Sequence, residues 1–330
     1  MLRSCESHGR VCAYFSRAMR AWAGALPGCV LPAPFAARGD AVASLSIAVI
    51  GAGRVGGALG RALHAAGYPV AAVWSRSPAH AAELASATGA AVAATPHEAA
   101  ASANLTLIAV TDTQIATVAS ALGEAPAGAA AVHLSGANSA ALLAPLAGRG
   151  WQVGAFHPLQ TFADAHSPVL PGTVFAIDAA GPLAEDLASA ARALGGTPLP
   201  IPSETRAIYH AAAAMMANYT VVLAAQASAL LAECGLPQPQ ALAALLPLLR
   251  GAVESLDRLG VPAALTGPIA RGDAATVARH LDALAKTAPE ALPIYRTLGA
   301  AAVPLARAIG GDAQGLDTIT ELLHPPPHAG

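Results

Sequence analysis

The apolar positions fall into two regimes that meet near Ile201. Upstream, short apolar runs alternate with stretches of helical composition, and Gly-rich connections separate them. Leu45–Ile50 reads as a strand running straight into Gly51, and Arg54–Ala66 as a helix closed by Gly67. Pro69–Trp74 is a second strand and Pro78–Thr88 a helix stopped at Gly89. Leu105–Val110 is a strong strand followed by helical Ile115–Leu122, and Ala130–Leu134, Val153–Phe156 and Val174–Ile177 are further strands. This alternation predicts an α/β domain over residues 45–200, a doubly wound parallel sheet with helices on both faces. Beyond Ser203 the β-like runs cease. Thr205–Cys234, Pro239–Leu259, Ala274–Ala285 and Ile294–Ile309 read as helices, punctuated by Gly235-Leu236-Pro237 and Gly260-Val261-Pro262. Asp317–Leu323 makes a short last helix with Asp317 as its N-cap. An all-helical domain over residues 201–324 is therefore expected.

Composition removes several options. With 18 Lys and Arg against 20 Asp and Glu, the chain has no electrostatic footprint for nucleic acid or an anionic membrane. Lys286 is the only lysine, so a lysine-based mechanism has one candidate. Of the four cysteines, Cys5, Cys12, Cys29 and Cys234, no pair has CxxC spacing; a zinc site or disulfide framework is not expected, and a reducing cytoplasm is. Residues 1–44 stand apart, with Arg3, Arg10, Arg17, Arg20 and Arg38 against Glu6 and Asp40. They read as an over-long gene start with Met19 as the alternative, as a disordered extension, or as a targeting peptide. Ala207–Ala232 is uncharged and long enough to span a bilayer. His210, Asn218, Thr220, Gln226 and Ser228 would be costly in lipid, so a helix buried between domains or subunits is expected.

The chemistry begins at Gly51-Ala52-Gly53-Arg54-Val55-Gly56, a GxGxxG. Alone the motif is weak; here it follows an apolar strand and opens a helix, the context of a Rossmann dinucleotide site. The first Gly permits the tight turn, the second lets a pyrophosphate approach the backbone, and the third lets helix and strand pack closely. The helix N-terminus offers N–H groups and a positive dipole end to the phosphates. The end of the second strand selects the cofactor. An NAD site usually has an acid there for the ribose 2′-OH, whereas this chain has Ser75-Arg76-Ser77 and no acid before Glu83. Arg76 suits a 2′-phosphate, with Ser75 and Ser77 as donors, so NADP (NADPH) is the expected cofactor. Thr111-Asp112, after the third strong strand, sits where the nicotinamide ribose lies in this fold, although Asp112 could equally cap the next helix.

Four further motifs follow in order: His133-Leu134-Ser135-Gly136-Ala137, Ala155-Phe156-His157-Pro158-Leu159-Gln160-Thr161-Phe162, Tyr209-His210-Ala211-Ala212, and Leu265-Thr266-Gly267-Pro268-Ile269-Ala270-Arg271-Gly272-Asp273. Over roughly residues 45–310 the chain resembles a bacterial family of Rossmann-like oxidoreductases whose C-terminal half is a domain of unknown function. That family is similar in architecture to the 6-phosphogluconate, β-hydroxyacid and prephenate dehydrogenases and pyrroline-5-carboxylate reductase. The resemblance implies a Rossmann domain followed by a 6-phosphogluconate-dehydrogenase-like helical domain, a nicotinamide cofactor, and a homodimer paired through the helices. It supplies no substrate. β-Hydroxyacid dehydrogenases use a Lys and an Asn one turn apart; here Asn218 fits the Asn position, but Ala214 stands where the Lys would be.

Hydride transfer to a carbonyl or imine needs an acid beside the acceptor heteroatom, and His suits that role near neutral pH. His157 is the first choice among 11 His, because it follows a strand and precedes Pro158 at the C-terminal sheet edge where ligands bind. His210 is the second. Asn218, eight residues on and about 80° around the same helix, could face the same cleft. Each of these could instead be structural. Ser135 through its backbone, Gln160 and Arg271 are candidate substrate contacts, Arg271 as a carboxylate clamp, and Asp273 reads as a helix N-cap. No metal site is expected. The expected function is NADP-dependent oxidation or reduction of a small anionic carbonyl, imine or hydroxy acid. A non-catalytic dinucleotide sensor is the alternative, and a deazaflavin reductase a third. Convergence of His157 and His210 in an open cleft would favour the enzyme.

Overall fold

The structure, a computed structural model, describes residues 45–324. The readings of residues 1–44, with Met19, and of the Pro-rich tail beyond His324 lie outside the described residues.

The sheet-forming unit alternates as the pattern requires. Strand β1 (Ile47–Ile50) leads to α1 (Arg54–Ala65), β2 (Val70–Trp74), α2 (Pro78–Thr88), β3 (Ala91–Val92), α3 (Pro96–Ala101), β4 (Leu105–Ile108), α4 (Asp112–Ser120) and β5 (Ala130–His133). A short α5 (Ala144–Ala147), β6 (Gln152–Pro158), β7 (Val174–Asp178), α6 (Gly181–Ala193), β8 (Thr197–Pro200) and α7 (Arg206–Met216) follow. The eight strands lie in the order β3-β2-β1-β4-β5-β6-β7-β8. Order reverses beside β1, the switch point at which such sheets bind ligands.

Alternate residues of each strand feed opposite layers. Ile47, Val49, Leu105, Leu107 and Val132 pack with Leu59, Leu63 and Leu187 on one face. Ile50, Ile108 and Ala131 pack with Ile115, Leu143 and Trp151 on the other. Each fully buried Leu or Ile stabilises the fold by about 1.5–3 kcal/mol. The expectation of a wholly parallel sheet needs one correction: β6 and β7 are antiparallel, while β7 and β8 are parallel to each other. The 15 residues between β6 and β7 contain Pro168, Pro171 and Gly172 and no helix, and without a crossover helix the chain can only turn back.

The second unit is helical. It comprises α8 (Asn218–Glu233), α9 (Gln238–Leu259), α10 (Gly267–Arg271), α11 (Ala274–Thr287), α12 (Leu292–Ala308) and α13 (Ala313–Leu323). Its core gathers Val277, Leu281, Val303, Leu316, Ile319 and Leu323. Asp273 caps α11, its side chain accepting from the Thr276 N–H at 3.0 Å. The last helix starts earlier than expected: Asp312, not Asp317, is its N-cap, and Asp317 instead pairs with Arg307 at 2.6 Å.

The two compact units part between Tyr219 and Thr220, not at 200/201. The reason is local. Arg206, the first residue of α7, is buried and bonded to Ser135 of the sheet-forming unit, so the helix it begins stays with that unit. The helix expected over Thr205–Cys234 is also interrupted at Ala217, which separates α7 from α8. The run Ser203–Glu233 remains long and apolar enough to cross a membrane, with mean hydropathy 1.4 and only 6% of its most apolar window buried.

Candidate active site

Two of the three glycines of the first turn are required by space. Gly51 has φ +99, and a Cβ there would lie 2.5 Å from the Ala109 carbonyl oxygen. A Cβ on Gly56 would strike the Gly51 carbonyl oxygen. Gly53 faces open space and is the N-cap of α1, which no side chain caps. The N-terminal N–H groups at Arg54, Val55 and Gly56 are thus left for a ligand, and the dipole end favours an anion. This cradle fits a pyrophosphate.

At the end of β2, Arg76 is exposed and makes no hydrogen bond or ion pair among the described residues. Ser77 is the N-cap of α2, its hydroxyl accepting from the His80 N–H at 3.4 Å, and Ser75 accepts from the Ser77 N–H at 3.3 Å. An uncommitted cation therefore stands at a second helix start, a fitting place for a 2′-phosphate. Asp112 is the first residue of α4 and not its cap; Thr111 holds the N-cap position without a side-chain cap bond. Both are exposed.

The histidines meet at the C-terminal edge of the sheet. His157, half-buried in the last turn of β6, lies edge-on to His210 of α7 with ring centroids 6.3 Å apart. Between them is Gly136. A Cβ on Gly136 would lie 2.8 Å from His157 Nε2 and 2.8 Å from His210 Nδ1, so both nitrogens close on Gly136 where any side chain would collide with them. His157 Nδ1 is 2.8 Å from the Tyr209 hydroxyl. Burial disfavours the imidazolium, and Arg206, His210 and His133 repel it further, which holds His157 down at about 4. Burial pushes Tyr209 up to about 12, with Arg206 pulling the other way.

Beneath them, His133 is fully buried, its Nε2 3.0 Å from the Ser139 carbonyl oxygen and its Nδ1 accepting from the Ser135 N–H at 3.2 Å. That makes it a neutral brace for the loop carrying Gly136. Arg206 is 1% exposed; one nitrogen donates to the Ser135 carbonyl oxygen at 2.7 Å, and Nε and the other terminal nitrogen have no partner among the described residues. Such orphaned donors cost about 1–3 kcal/mol each, more when charged. The nearest acid in electrostatic terms is Asp178, whose Oδ2 accepts from the Ala140 N–H and the Ser203 hydroxyl, both at 2.8 Å.

The other expected contacts stand apart from the histidine pair or already have partners. The Ser135 N–H donates to His133 Nδ1, and its hydroxyl oxygen accepts from Asn138 Nδ2 at 3.0 Å. The Gln160 carbonyl oxygen accepts from the Leu170 N–H and the Thr173 hydroxyl, and its amide donates to the Pro168 carbonyl; it ties the β6–β7 loop together. Asn218 is exposed at the first position of α8 beyond the break, and no contact joins it to the histidines. Arg271 is exposed at the end of α10 in the helical unit, near Asp273, whose carboxyl is held low chiefly by hydrogen bonds from Thr276 and only slightly by the charges of Arg279 and Arg271. Among the described residues no cluster suits a metal. A cleft of about 450 Å³ elsewhere on the sheet-forming unit, lined in part by Arg61, His166 and Leu194, does not include the histidines. The sequence alone suggested Gly136 only as a backbone N–H donor beside Ser135, and gave no role to Arg206 or Tyr209. Tyr209 was signalled only by adjoining His210, and an Arg ahead of an apolar helix reads as solvated.

A Rossmann-like domain model matches residues 33–158, and a model of a domain of unknown function, DUF2520, matches residues 173–302. No curated protein matches. Among solved structures, a Bacteroides fragilis protein provisionally described as an NADP oxidoreductase has a TM-score of 0.66 at 26% identity, covering 79% of this chain and 98% of its own. An imine reductase from a Pseudomonas species shares the fold with a TM-score of 0.55 at 22% identity, covering 84% of this chain and 99% of its own. A reductive aminase from Aspergillus terreus, in complex with NADPH and ethyl-5-oxohexanoate, does so with a TM-score of 0.53 at 19% identity, covering 85% and 92%. The chain thus carries a Rossmann-like domain followed by the domain of unknown function DUF2520.

Proposed function

We propose that the protein is an NADP-dependent oxidoreductase acting on a carbonyl, an imine or the corresponding alcohol or amine. The observation that carries this reading is the convergence of His157 Nε2 and His210 Nδ1 beside Gly136. It lies at the C-terminal sheet edge, in a fold whose first turn is a dinucleotide cradle. When bound, the cofactor supplies or accepts a hydride at the substrate carbon. His157 and His210 hold the substrate heteroatom between two ring nitrogens and manage its proton. Gly51, Gly53 and Gly56 admit the pyrophosphate to the N-terminus of α1, and Arg76 pairs with the 2′-phosphate. The convergence of two ring nitrogens at the C-terminal sheet edge favours an enzyme over a sensor. The Bacteroides protein's description and the NADPH in the Aspergillus structure agree with this cofactor class.

The cofactor claim is tested by titrating NADPH and NADH and following nicotinamide fluorescence. Wild type binds NADPH more tightly, and Arg76→Ala weakens NADPH by roughly 10- to 100-fold, the worth of a charge-assisted pair, while leaving NADH unchanged. Equal wild-type affinities would overturn the assignment. A panel of 2-oxo acids, cyclic imines and neutral ketones with NADPH then identifies the acceptor. Loss of turnover in neither His157→Ala nor His210→Ala would remove the histidines from the mechanism.

The protein further reads as a homodimer of the reducing cytoplasm, paired through its helices. Within the helical unit, α9 buries only Ala241 and exposes Leu242, Leu248, Leu249, Val253 and Leu259. Leu242, Leu249 and Val253 share one face of this helix, and an exposed apolar face of that kind supports an interaction site.

A further inference from the structure

His157 poses a difficulty that its neighbours resolve. At neutral pH its imidazole is already neutral, so no stored proton is available from an imidazolium. Reduction of a carbonyl or imine nonetheless requires one proton at the heteroatom. Among the described residues the one hydroxyl hydrogen-bonded to His157 is that of Tyr209, 2.8 Å from Nδ1, while Nε2 on the other side of the ring lies beside Gly136. A neutral imidazole can relay a proton across its two nitrogens, giving from one as it receives at the other. Arg206 and Tyr209 are three residues apart on α7, and such residues are neighbours on one helix face. Arg206 is 1% exposed, forms no ion pair among the described residues, and leaves Nε and one terminal nitrogen without acceptors. It also stands at a helix N-terminus, where a cation is disfavoured. A buried cation so placed is suited to a counter-charge that exists only during the reaction.

We propose that Tyr209 is the proton source of this site, passing its proton to His157 Nδ1 as His157 gives up its Nε2 proton to the substrate, while Arg206 holds the charge left on the phenolate. This rests on the oxidoreductase reading. The step balances: a hydride arrives at the substrate carbon, the Nε2 proton at its heteroatom, and the Tyr209 proton at Nδ1. After product leaves, the Nδ1 proton returns to the tyrosinate and Nε2 takes one proton from solvent, which restores the starting tautomer; the reverse reaction runs the relay backwards. The charged and titratable groups around His157 are Arg206, Tyr209 and His210 from α7 and His133 from β5, with Asp178 of β7 acting on Arg206. Tyr209 acts through His157 and never touches the substrate.

The relay requires the Nε2–H tautomer of His157, with Nδ1 accepting from Tyr209. A purely structural tyrosine could equally accept from Nδ1–H. Nitrogen-15 NMR of the histidine-labelled full chain separates these without cofactor or substrate. The expected result is an unprotonated Nδ1 and a protonated Nε2 from pH 6 to 9, with the preference lost in Tyr209→Phe. An Nδ1–H tautomer in wild type overturns the proposal. Ultraviolet titration should show Tyr209 ionising at higher pH in Arg206→Met than in wild type or Arg206→Lys; an unchanged titration removes Arg206 from the scheme. With the best acceptor from the panel, Tyr209→Phe should lower kcat by about 100-fold, within the usual range for a proton-transfer group. KM and NADPH affinity should stay within about twofold. A wild-type kcat and pH profile in Tyr209→Phe overturns the proposal. Failure of wild type to bind NADPH would overturn the oxidoreductase reading itself, and the NMR result would be unaffected by it.

Discussion

His157 should make the fold weaken in acid by an amount that can be isolated. Its pKa is about 4 in the folded chain, against an ordinary 6.5. Between those values an unfolded chain binds a proton at this position and the native chain does not, so the unfolding free energy falls as pH falls. Above pH 6.5 nothing is lost; below about pH 4 both states carry the proton and the loss is complete. Each pH unit is worth about 1.4 kcal/mol, so the whole interval amounts to about 3 kcal/mol, and partial exposure trims this towards about 2 kcal/mol. His133 is also held low by burial and acts in the same direction, so acid sensitivity of wild type alone does not identify His157. The comparison with His157→Gln does. Urea unfolding at fixed protein concentration, at pH 7 and pH 4.5, should show wild type losing roughly 2 kcal/mol more than the variant. Equal losses would mean that His157 titrates normally in the folded chain. The premise of the proton relay, a neutral ring in a charged neighbourhood, would then be wrong.

Gly136→Ala tests the convergence of the histidines. Its Cβ would lie 2.8 Å from both ring nitrogens, so turnover should fall by about 100-fold with NADPH affinity within about twofold. Unchanged turnover would show that nothing reacts there. Sedimentation at micromolar concentration should give a dimer, and a paired Leu249→Glu and Val253→Glu variant should shift it to monomer. A monomeric wild type would refute the pairing. Gly56→Ala should abolish dinucleotide binding and destabilise the fold by several kcal/mol, because the added methyl strikes the Gly51 carbonyl oxygen; chemical denaturation and cofactor titration check both.

The phosphate cradle was legible because three local signals coincide: an apolar strand, spaced glycines and a helix start. Arg76 stands out in the sequence because an expected acid is missing. Both strands that escaped reading, β3 and β8, are sheet edges. Ala91–Val92 is two exposed residues, and Thr197–Pro200 contains two prolines, so neither shows apolar alternation. The antiparallel turn into β7 was hidden because strand direction depends on the connection, not on the strand. Gln160 shows the limit for single residues. A polar side chain after a strand reads as a ligand contact, and only its three partners from the same loop reveal a clamp. Arg206 shows the opposite error, since charge suggests solvent until the fold covers it. His157 and His210 were found separately by residue type, but their common target at Gly136 is a tertiary fact.

The two ends of the sheet also bear on how this chain avoids sticking to itself. An open sheet edge invites another strand, and a flat, hydrogen-bonding edge is a seed for aggregation. Here β3 offers only two residues, while in β8 Pro198 and Pro200 remove two of four N–H donors. Strand addition is poorly supported at both ends. Replacing both prolines with valine would expose a continuous β-prone edge, and the chain's tendency to form fibrils rather than defined oligomers should rise with it.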